Sequence, residues 1–380
     1  MDLLRTTALS SYEDYENFDA SSARELKIVN INTRGARLDN ATCEVEDVSE
    51  ANVLNRISAS ASLSRKIKME MTLEESETTA SVLLVSIWTS SKGNASEGVG
   101  ISKPTFLSLI NMLEMDRSVL QPIVNNIYGL VEFNETTASS GENNISTYFL
   151  ADSRIQLVWS FNFATSETKA ILITQRSAPD SQSHNQSQRV LADFLAALKQ
   201  QRANIFSPYT LLSVFLVQMI TWEAKSCAAR WNHVRMFEQK TGYGRHGDTP
   251  RSAPEHSNDS SMPSGMTLED LTMTAKQIET LSASLASDER HMDILDSLLD
   301  ALADQSSWRQ RLLPGTTTDR RLKLCERDVE VFSAVLRPLR QQNASSRSAL
   351  KYMAARARSQ SRVVSSIQNM HSGIKSSKMN

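Results

Sequence analysis

The chain has 380 residues, with 41 lysines and arginines against 43 aspartates and glutamates, and a formal net charge of −2 at neutral pH. This length allows two or three domains with substantial cores. The near-neutral balance excludes a protein that binds nucleic acid through its overall charge. The charge is unevenly distributed, because residues 1–80 are acidic and residues 331–380 are basic.

The three cysteines, Cys43, Cys227 and Cys325, are widely separated and do not form a redox or zinc-binding motif. We interpret them as free thiols in a reducing compartment. The first residues of the chain contain no apolar run, so the sequence predicts no secretory signal. Both observations favour a cytoplasmic location.

Residues 1–180 are predicted to form an α+β domain that begins with a loosely structured acidic segment, residues 1–20. The run Ser81–Trp88 is β-branched and almost entirely apolar, which is typical of a buried strand. Residues 34–78 mix short apolar spots with many charges and favour no single assignment. The other predicted elements are a strand at Glu25–Asn32, helices at Ser102–Leu113 and Val119–Tyr128, and a hairpin of Ile155–Phe163 with Lys169–Thr174.

Residues 181–246 are predicted to form a helical segment around the most apolar run of the chain, Tyr209–Trp222. A membrane span needs about 20 apolar residues, and this run is shorter and contains Gln218. We therefore predict a buried core helix rather than a membrane span. Residues 247–265, which are rich in serine, proline and histidine, read as a mobile linker.

Residues 266–380 are predicted to form a long antiparallel helical hairpin. In its first arm, apolar residues recur at alternating steps of three and four, the heptad pattern of two helices that pack along their length. Thr267 and Asp270 form a capping pattern at the start, and Leu313-Pro314-Gly315 is a stop signal. The heptad positions of this arm are Leu271, Ile278, Leu281, Leu285, Met292, Leu295, Leu299 and Leu302.

The second arm continues the heptad pattern, with three polar residues, Asn343, Ser346 and Gln360, at heptad positions that weaken it. Pro338 is predicted to kink the helix or remove one of its hydrogen bonds. A heptad pattern does not identify what a helix packs against. The two arms could therefore pack only on each other, as in an ordinary hairpin, or also bind a partner. The apolar heptad positions are Val329, Phe332, Leu336, Leu339, Leu350, Met353, Ala357, Val364 and Ile367.

The second arm is also basic, since no aspartate or glutamate follows Glu330. A run of one sign suits an anionic membrane surface or an acidic partner; an ordinary solvated helix face is the alternative. Aromatic residues are almost absent here, so no nucleic acid is expected. The predicted basic face consists of Arg340, Arg347, Lys351, Arg356, Arg358 and Arg362.

Catalytic chemistry is not indicated, and we predict no catalytic residues, no cofactor and no metal ligands. The string Gly242–Gly247 matches GxGxxG, but a helix precedes it where the dinucleotide fingerprint needs a strand. We interpret the string instead as a glycine that ends a helix, followed by a loop. The histidines lie mostly in linkers or on expected exposed helix faces; they are His184, His233, His246, His256, His291 and His371.

The order of these features resembles that of the uncharacterised fungal proteins grouped with CorA-like magnesium transporters. The residues that carry the resemblance lie in five segments along most of the chain. These are Ile101–Leu107 followed by Val119–Pro122, Leu157–Phe163 with Ala170–Ile173, the apolar helix after Ser207-Pro208, Phe237–Gly242, and the end of the long hairpin at Arg358–Val364.

In that family the long basic helix leads into two membrane spans and a Gly-Met-Asn motif at the pore entrance. The present sequence reaches Asn380 without a span, and Lys378-Met379-Asn380 matches the motif only superficially. The resemblance therefore implies a non-enzymatic CorA-like cytosolic module without the pore, which regulates or co-assembles with a full-length homologue or with itself through the hairpin. The alternative is a helical scaffold that binds acidic proteins or anionic membrane through the basic face.

Overall fold

The computed structural model describes residues 2–18, 25–35, 40–72, 75, 78–90, 98–134, 145–152, 154–174, 184–242, 267–303 and 319–377. The fold is α+β and mainly helical, which confirms the predicted class. The predicted linker at 247–265 and the stop signal at Leu313-Pro314-Gly315 lie outside the described residues.

Eight helices and eight strands are named in the described part of the chain, and a short 3₁₀ turn at Arg117–Val119 precedes the fourth helix. The strands are β1 (Glu25–Arg34), β2 (Ala41–Ser49), β3 (Thr79–Ser90), β4 (Gly98–Val99), β5 (Gly129–Asn134), β6 (Ile145–Ala151), β7 (Ile155–Asn162) and β8 (Glu167–Thr174). The helices are α1 (Asp2–Asp14), α2 (Glu50–Glu70), α3 (Lys103–Met112), α4 (Leu120–Val124), α5 (His184–Gln200), α6 (Thr210–Thr241), α7 (Leu268–Ala303) and α8 (Asp319–Ser377).

The chain forms two compact units, one of Met1–Gln218 with Ser297–Leu339, and one of Met219–Asp296 with Arg340–Asn380. The unit boundaries fall inside α6, α7 and α8 rather than at residues 180, 246 and 265, where the composition of the sequence changes. Composition marks linkers, whereas compactness follows from which helix segments pack together, so the two need not coincide.

The first unit is built on a mixed eight-stranded sheet in the order β2-β1-β3-β8-β7-β6-β5, with the short β4 paired to β3. Strands β3 and β8 pair in parallel, with Val85 opposite Ile171. The other strand pairs are antiparallel. The apolar run of β3 therefore lies at the centre of the sheet, as expected for a strand that buries both faces.

Both faces of the sheet are covered. On one face, Val85 and Ile87 join a core with α1–α4, in which Phe106 and Leu109 are fully buried. On the other face, the Trp159 indole N–H donates a hydrogen bond of 2.9 Å to the Pro208 carbonyl, just before α6. Alternate residues of each strand thus pack against different helices.

Several elements of the first unit differ from the sequence predictions. Residues 1–20 were expected to be loose, but residues 2–14 form α1, which buries Ala8 and Tyr12. The ambiguous region 34–78 contains an edge strand, β2, followed by α2. Strands β5 and β6 were not predicted. The hairpin β7–β8 and the core helix α6 agree with the predictions, and the apolar start of α6 is buried.

The second unit is a three-helix bundle of α6 from Met219, α7 to Asp296 and α8 from Arg340. Contacts run in opposite directions along α6 and α7 and in the same direction along α6 and α8, so α7 is antiparallel to both neighbours. The capping pattern at the start of α7 is confirmed, because the Asp270 N–H donates to Thr267 Oγ1 at 3.1 Å and the Thr267 N–H donates to Asp270 Oδ2 at 3.0 Å.

The predicted heptad residues within this bundle are buried, which confirms that the heptad pattern marks the packed side of each helix. The polar heptad residues Asn343 and Gln360 are buried as well, with side-chain partners on neighbouring helices. Asn343 Nδ2 donates to the Met292 carbonyl and to Asp296, and Gln360 accepts a 2.7 Å hydrogen bond from Thr241.

Candidate functional site

Five of the six residues of the basic face lie on one side of α8. At about 100° per residue, Arg340, Arg347, Lys351, Arg358 and Arg362 fall within about 60° of one another around the helix axis. Three of them, Lys351, Arg358 and Arg362, are exposed to solvent. These three residues are called the exposed basic stripe.

The structure places the other residues of the basic face differently. Arg347 is partly buried and forms ion pairs with Asp293 and Asp296 of α7. Arg340 is half-buried. Of these two residues, Arg347 is therefore restrained by carboxylates, and Arg340 is less accessible to solvent than the stripe.

Arg356 lies on another side of α8, where it pairs with Glu238 of α6. Its guanidinium group also stacks on Trp231 at 4.9 Å and on Tyr352 at 5.4 Å from the ring centroids. These contacts join α6 to α8, so Arg356 stabilises the bundle and is not part of the exposed basic stripe.

A cluster of ionisable side chains lies inside the same bundle. Glu223 of α6 and Asp288 and His291 of α7 have exposed fractions of 0%, 3% and 8%. One potential ligand atom from each residue lies within 4.8 Å of the other two. His291 Nδ1 lies 3.4 Å from Glu223 Oε1. We call these three residues the Glu–Asp–His cluster.

The helices hold this cluster in a defined arrangement. Asp288 and His291 are three residues apart on α7 and therefore share one face of the helix. From α6, the Ser226 hydroxyl donates to Asp288 Oδ2 at 3.0 Å, and Arg230 Nε donates to the same oxygen at 3.2 Å. These hydrogen bonds fix the orientation of the Asp288 carboxylate.

Cys227, one helical turn after Glu223, lies beside the cluster. Burial, followed by the negative charges of Asp288 and Glu223, raises the pKa of its thiol to about 11. The thiol donates to the Ser346 carbonyl of α8 at 3.9 Å. Cys227 is therefore an uncharged thiol at neutral pH.

Sequence patterns did not predict this cluster. The histidines were expected mostly in linkers or on exposed helix faces, which holds for His233 but not for the buried His291. The available signal was an Asp-x-x-His pair at helical spacing in α7, at the edge of the heptad pattern. Glu223 is distant in sequence and gave no signal, because only the antiparallel packing of α6 and α7 brings it to this pair.

Of the GxGxxG string, only Gly242 belongs to the described residues. It follows the last residue of α6 with φ of +72°, a conformation that favours glycine. This agrees with a glycine that ends the helix.

No protein-family model matches this chain, and no curated protein is significantly similar to it in sequence. The resemblance to CorA-like proteins therefore remains a prediction. Within the described helices, no segment combines the length and the apolar character needed to cross a bilayer.

Proposed function

We propose that the protein is a non-enzymatic binding module that contacts an anionic membrane surface through α8. The observation that carries this proposal is the exposed basic stripe, Lys351, Arg358 and Arg362, on a helix segment with no acidic residue after Glu330. The stripe is linear and solvent-facing. A guanidinium binds a single carboxylate in a defined bidentate pair. A line of three exposed basic residues instead suits an extended anionic surface.

The expected affinity is modest. A basic residue near an anionic lipid surface contributes about 1 kcal/mol, so the stripe contributes about 3 kcal/mol, on the order of a 100-fold change in affinity. Attraction of this kind is screened by salt over about 8 Å at physiological ionic strength. Binding should therefore be reversible and should weaken as salt is added.

The resemblance to CorA-like proteins supports a second proposal, that the module regulates or co-assembles with a full-length divalent-cation transporter or with another copy of itself. Its support is the order of sequence features and the long pairing helices. Because the heptad residues of the second unit are buried within the chain, such assembly would use the exposed faces of the helices. Light scattering coupled to gel filtration tests the self-assembly part, and a strictly monomeric protein would count against it.

Co-sedimentation with vesicles tests the membrane proposal. The triple variant K351Q/R358Q/R362Q removes the stripe, and K225Q/R235Q/K240Q removes three exposed charges from α6 of the same unit. We expect the wild type and the α6 variant to bind vesicles with anionic lipid and not neutral vesicles, and the stripe variant to bind on the order of 100-fold more weakly.

Two results would contradict the membrane proposal. Equal losses in both triple variants would show that total charge, rather than the stripe, is responsible. Failure of the wild type to bind anionic vesicles at low salt would leave an acidic protein as the partner of the stripe.

A further inference from the structure

We propose that the Glu–Asp–His cluster is a binding site for a divalent first-row transition metal ion such as Zn²⁺. The site goes beyond the membrane proposal, since it lies inside the bundle and uses none of the residues of the exposed basic stripe. It would join α6 to α7 through one ion.

The geometry fits a single ion. Ligand atoms bound at about 2.1 Å in tetrahedral geometry lie about 3.4 Å apart, and His291 Nδ1 and Glu223 Oε1 are 3.4 Å apart. The potential ligand atom of Asp288 lies within 4.8 Å of both. Side-chain adjustments of about 1 Å would bring all three atoms onto one ion at the bond lengths that zinc adopts.

The placement of the ligands follows the way helical bundles build metal sites. The di-iron and di-manganese carboxylate bundles combine a glutamate from each of two helices with a Glu-x-x-His pair from each of the other two, all projecting into the core. Glu223 on α6, with Asp288 and His291 three residues apart on α7, corresponds to half of such a ligand set, with aspartate in place of one glutamate. Hydrogen bonds from Ser226 and Arg230 restrain Asp288, as neighbouring groups commonly restrain metal ligands.

Charge also favours a cation at this position. The carboxylates of Glu223 and Asp288 are both buried at the cluster, and a bound cation brings opposite charge to them. Burial of such charge is costly without compensation. A metal ion bound by these side chains would supply such compensation.

The ligand types select the class of metal. Calcium and magnesium prefer oxygen ligands only, whereas imidazole nitrogen with carboxylates suits zinc and other first-row transition ions. The adjacent Cys227 thiol donates to the Ser346 carbonyl and does not belong to the group of three close ligand atoms, which are nitrogen and oxygen atoms. We expect Zn²⁺ to bind and a large excess of Mg²⁺ not to displace it.

The test is a titration of the metal-free full chain with Zn²⁺ by calorimetry, and with Co²⁺ followed by visible absorption. We expect one Zn²⁺ to bind per chain at the cluster, and a higher melting temperature when it is bound. His291→Ala and Glu223→Gln should each weaken this binding by about 100-fold or more, since loss of even a supporting residue costs 10- to 100-fold.

His233→Ala is the matched control, because His233 is an exposed histidine on α6 of the same unit. It should bind Zn²⁺ like the wild type, and so should K351Q/R358Q/R362Q. Circular dichroism checks the helical content of each variant. If His291→Ala does not fold, Zn²⁺ binding by Glu223→Gln, which preserves the side-chain shape, tests the site instead.

Three outcomes would overturn the metal site. The first is a wild type that binds no Zn²⁺, which would leave a cluster held together by hydrogen bonds and ion pairs alone. The second is unchanged binding in both Glu223→Gln and His291→Ala. The third is an equal loss in His233→Ala, which would assign the binding to exposed histidines.

Discussion

The carboxylate of Asp328 in α8 accepts a hydrogen bond of 2.8 Å from the backbone N–H of Phe206, in the segment that leads into α6. Arg327, next to Asp328, donates to the Asn204 side chain at 3.2 Å and to the Ala203 carbonyl at 3.3 Å. Adjacent residues of one helix therefore hold this segment, and Phe206 itself is fully buried.

Replacing Asp328 by alanine should destabilise the protein by about 1–3 kcal/mol, because the buried Phe206 N–H loses its acceptor. Asp328→Asn keeps an acceptor oxygen and should cost less. Urea unfolding at constant pH measures both changes. An alanine variant as stable as the asparagine variant would show that this hydrogen bond contributes little.

The same carboxyl group predicts a pH dependence. Burial raises the pKa of Asp328 above its ordinary value of 3.8, although Arg327 and the Phe206 N–H act in the opposite direction. The folded state thus holds this proton more tightly than the unfolded state. Its contribution to stability is present below pH 3.8 and is lost as pH rises through the folded pKa. The stability of the wild type relative to Asp328→Asn should therefore fall over that window.

Asp116 should show the opposite dependence. Burial acts to raise its pKa, but hydrogen bonds from Arg5, at 2.7 and 3.3 Å, and from the Ser118 N–H, at 2.8 Å, lower it overall. A lowered folded pKa gives stability that is present above the ordinary carboxyl pKa and is lost as pH falls through the folded value.

Arg5→Met tests this pair. We expect Arg5→Met to lower the free energy of unfolding by about 1–2 kcal/mol at pH 7. This is less than the loss expected for a fully buried ion pair, because Arg5 is partly exposed. The loss should shrink in acid, where Asp116 is protonated in both states. Arg117→Met is the matched control at an exposed position, with an expected change within about 0.5 kcal/mol. A loss from Arg5→Met that does not vary with pH would point to packing of α1 instead.

A negative charge at Asn343 should disrupt the bundle. The side chain is fully buried and donates through Nδ2 to the Met292 carbonyl and to Asp296. Asn343→Asp replaces that donor by a carboxylate beside another carboxylate, which should cost about 3 kcal/mol or more at pH 7. The cost should decrease in acid as the new group is protonated.

The control for this substitution is Asn369→Asp, at an exposed position near the end of the same helix. Chemical denaturation should show a change within about 0.5 kcal/mol for the control. If Asn343→Asp and Asn369→Asp lost similar amounts of stability, helix propensity or total charge would explain the loss, and burial beside Asp296 would not.

The cysteines should differ in reactivity. Burial, followed by nearby negative charge, raises the pKa of Cys227 to about 11 and that of Cys325 to about 12, whereas Cys43 is only half-buried. Since the thiolate is the reactive form, a thiol reagent at pH 8 should label one cysteine rapidly in the native protein. Cys43→Ser should abolish this fast phase, and denaturant should expose all remaining thiols.

Much of the first unit followed from local sequence patterns. The run in β3 is apolar on both sides because the strand lies inside the sheet, and this continuous apolar run allowed the strand to be predicted from the sequence. Strand β2 is an edge strand whose residues are mostly exposed on both faces, so it shows no alternation to detect. Helix α1 was missed because its few apolar residues, such as Ala8 and Tyr12, are significant only where α3 and α4 cover them.

The candidate sites show a similar division. The heptad pattern and the capping pair Thr267–Asp270 are local properties of single helices, so the sequence predicted the arms of the hairpin. The Glu–Asp–His cluster combines residues from two helices. Its proximity depends on the relative direction and register of α6 and α7, which no spacing within either helix records.

For the basic face, the sequence by itself determined the sign of the charge, since α8 has no acidic residue after Glu330. Only the tertiary structure decided which charges reach solvent. Arg347 lies opposite Asp293 and Asp296, and Arg356 lies opposite Glu238. Lys351, Arg358 and Arg362 are left exposed. The physical reason is that ion pairing depends on what faces a side chain across the bundle, and the sequence of one helix does not contain its neighbours.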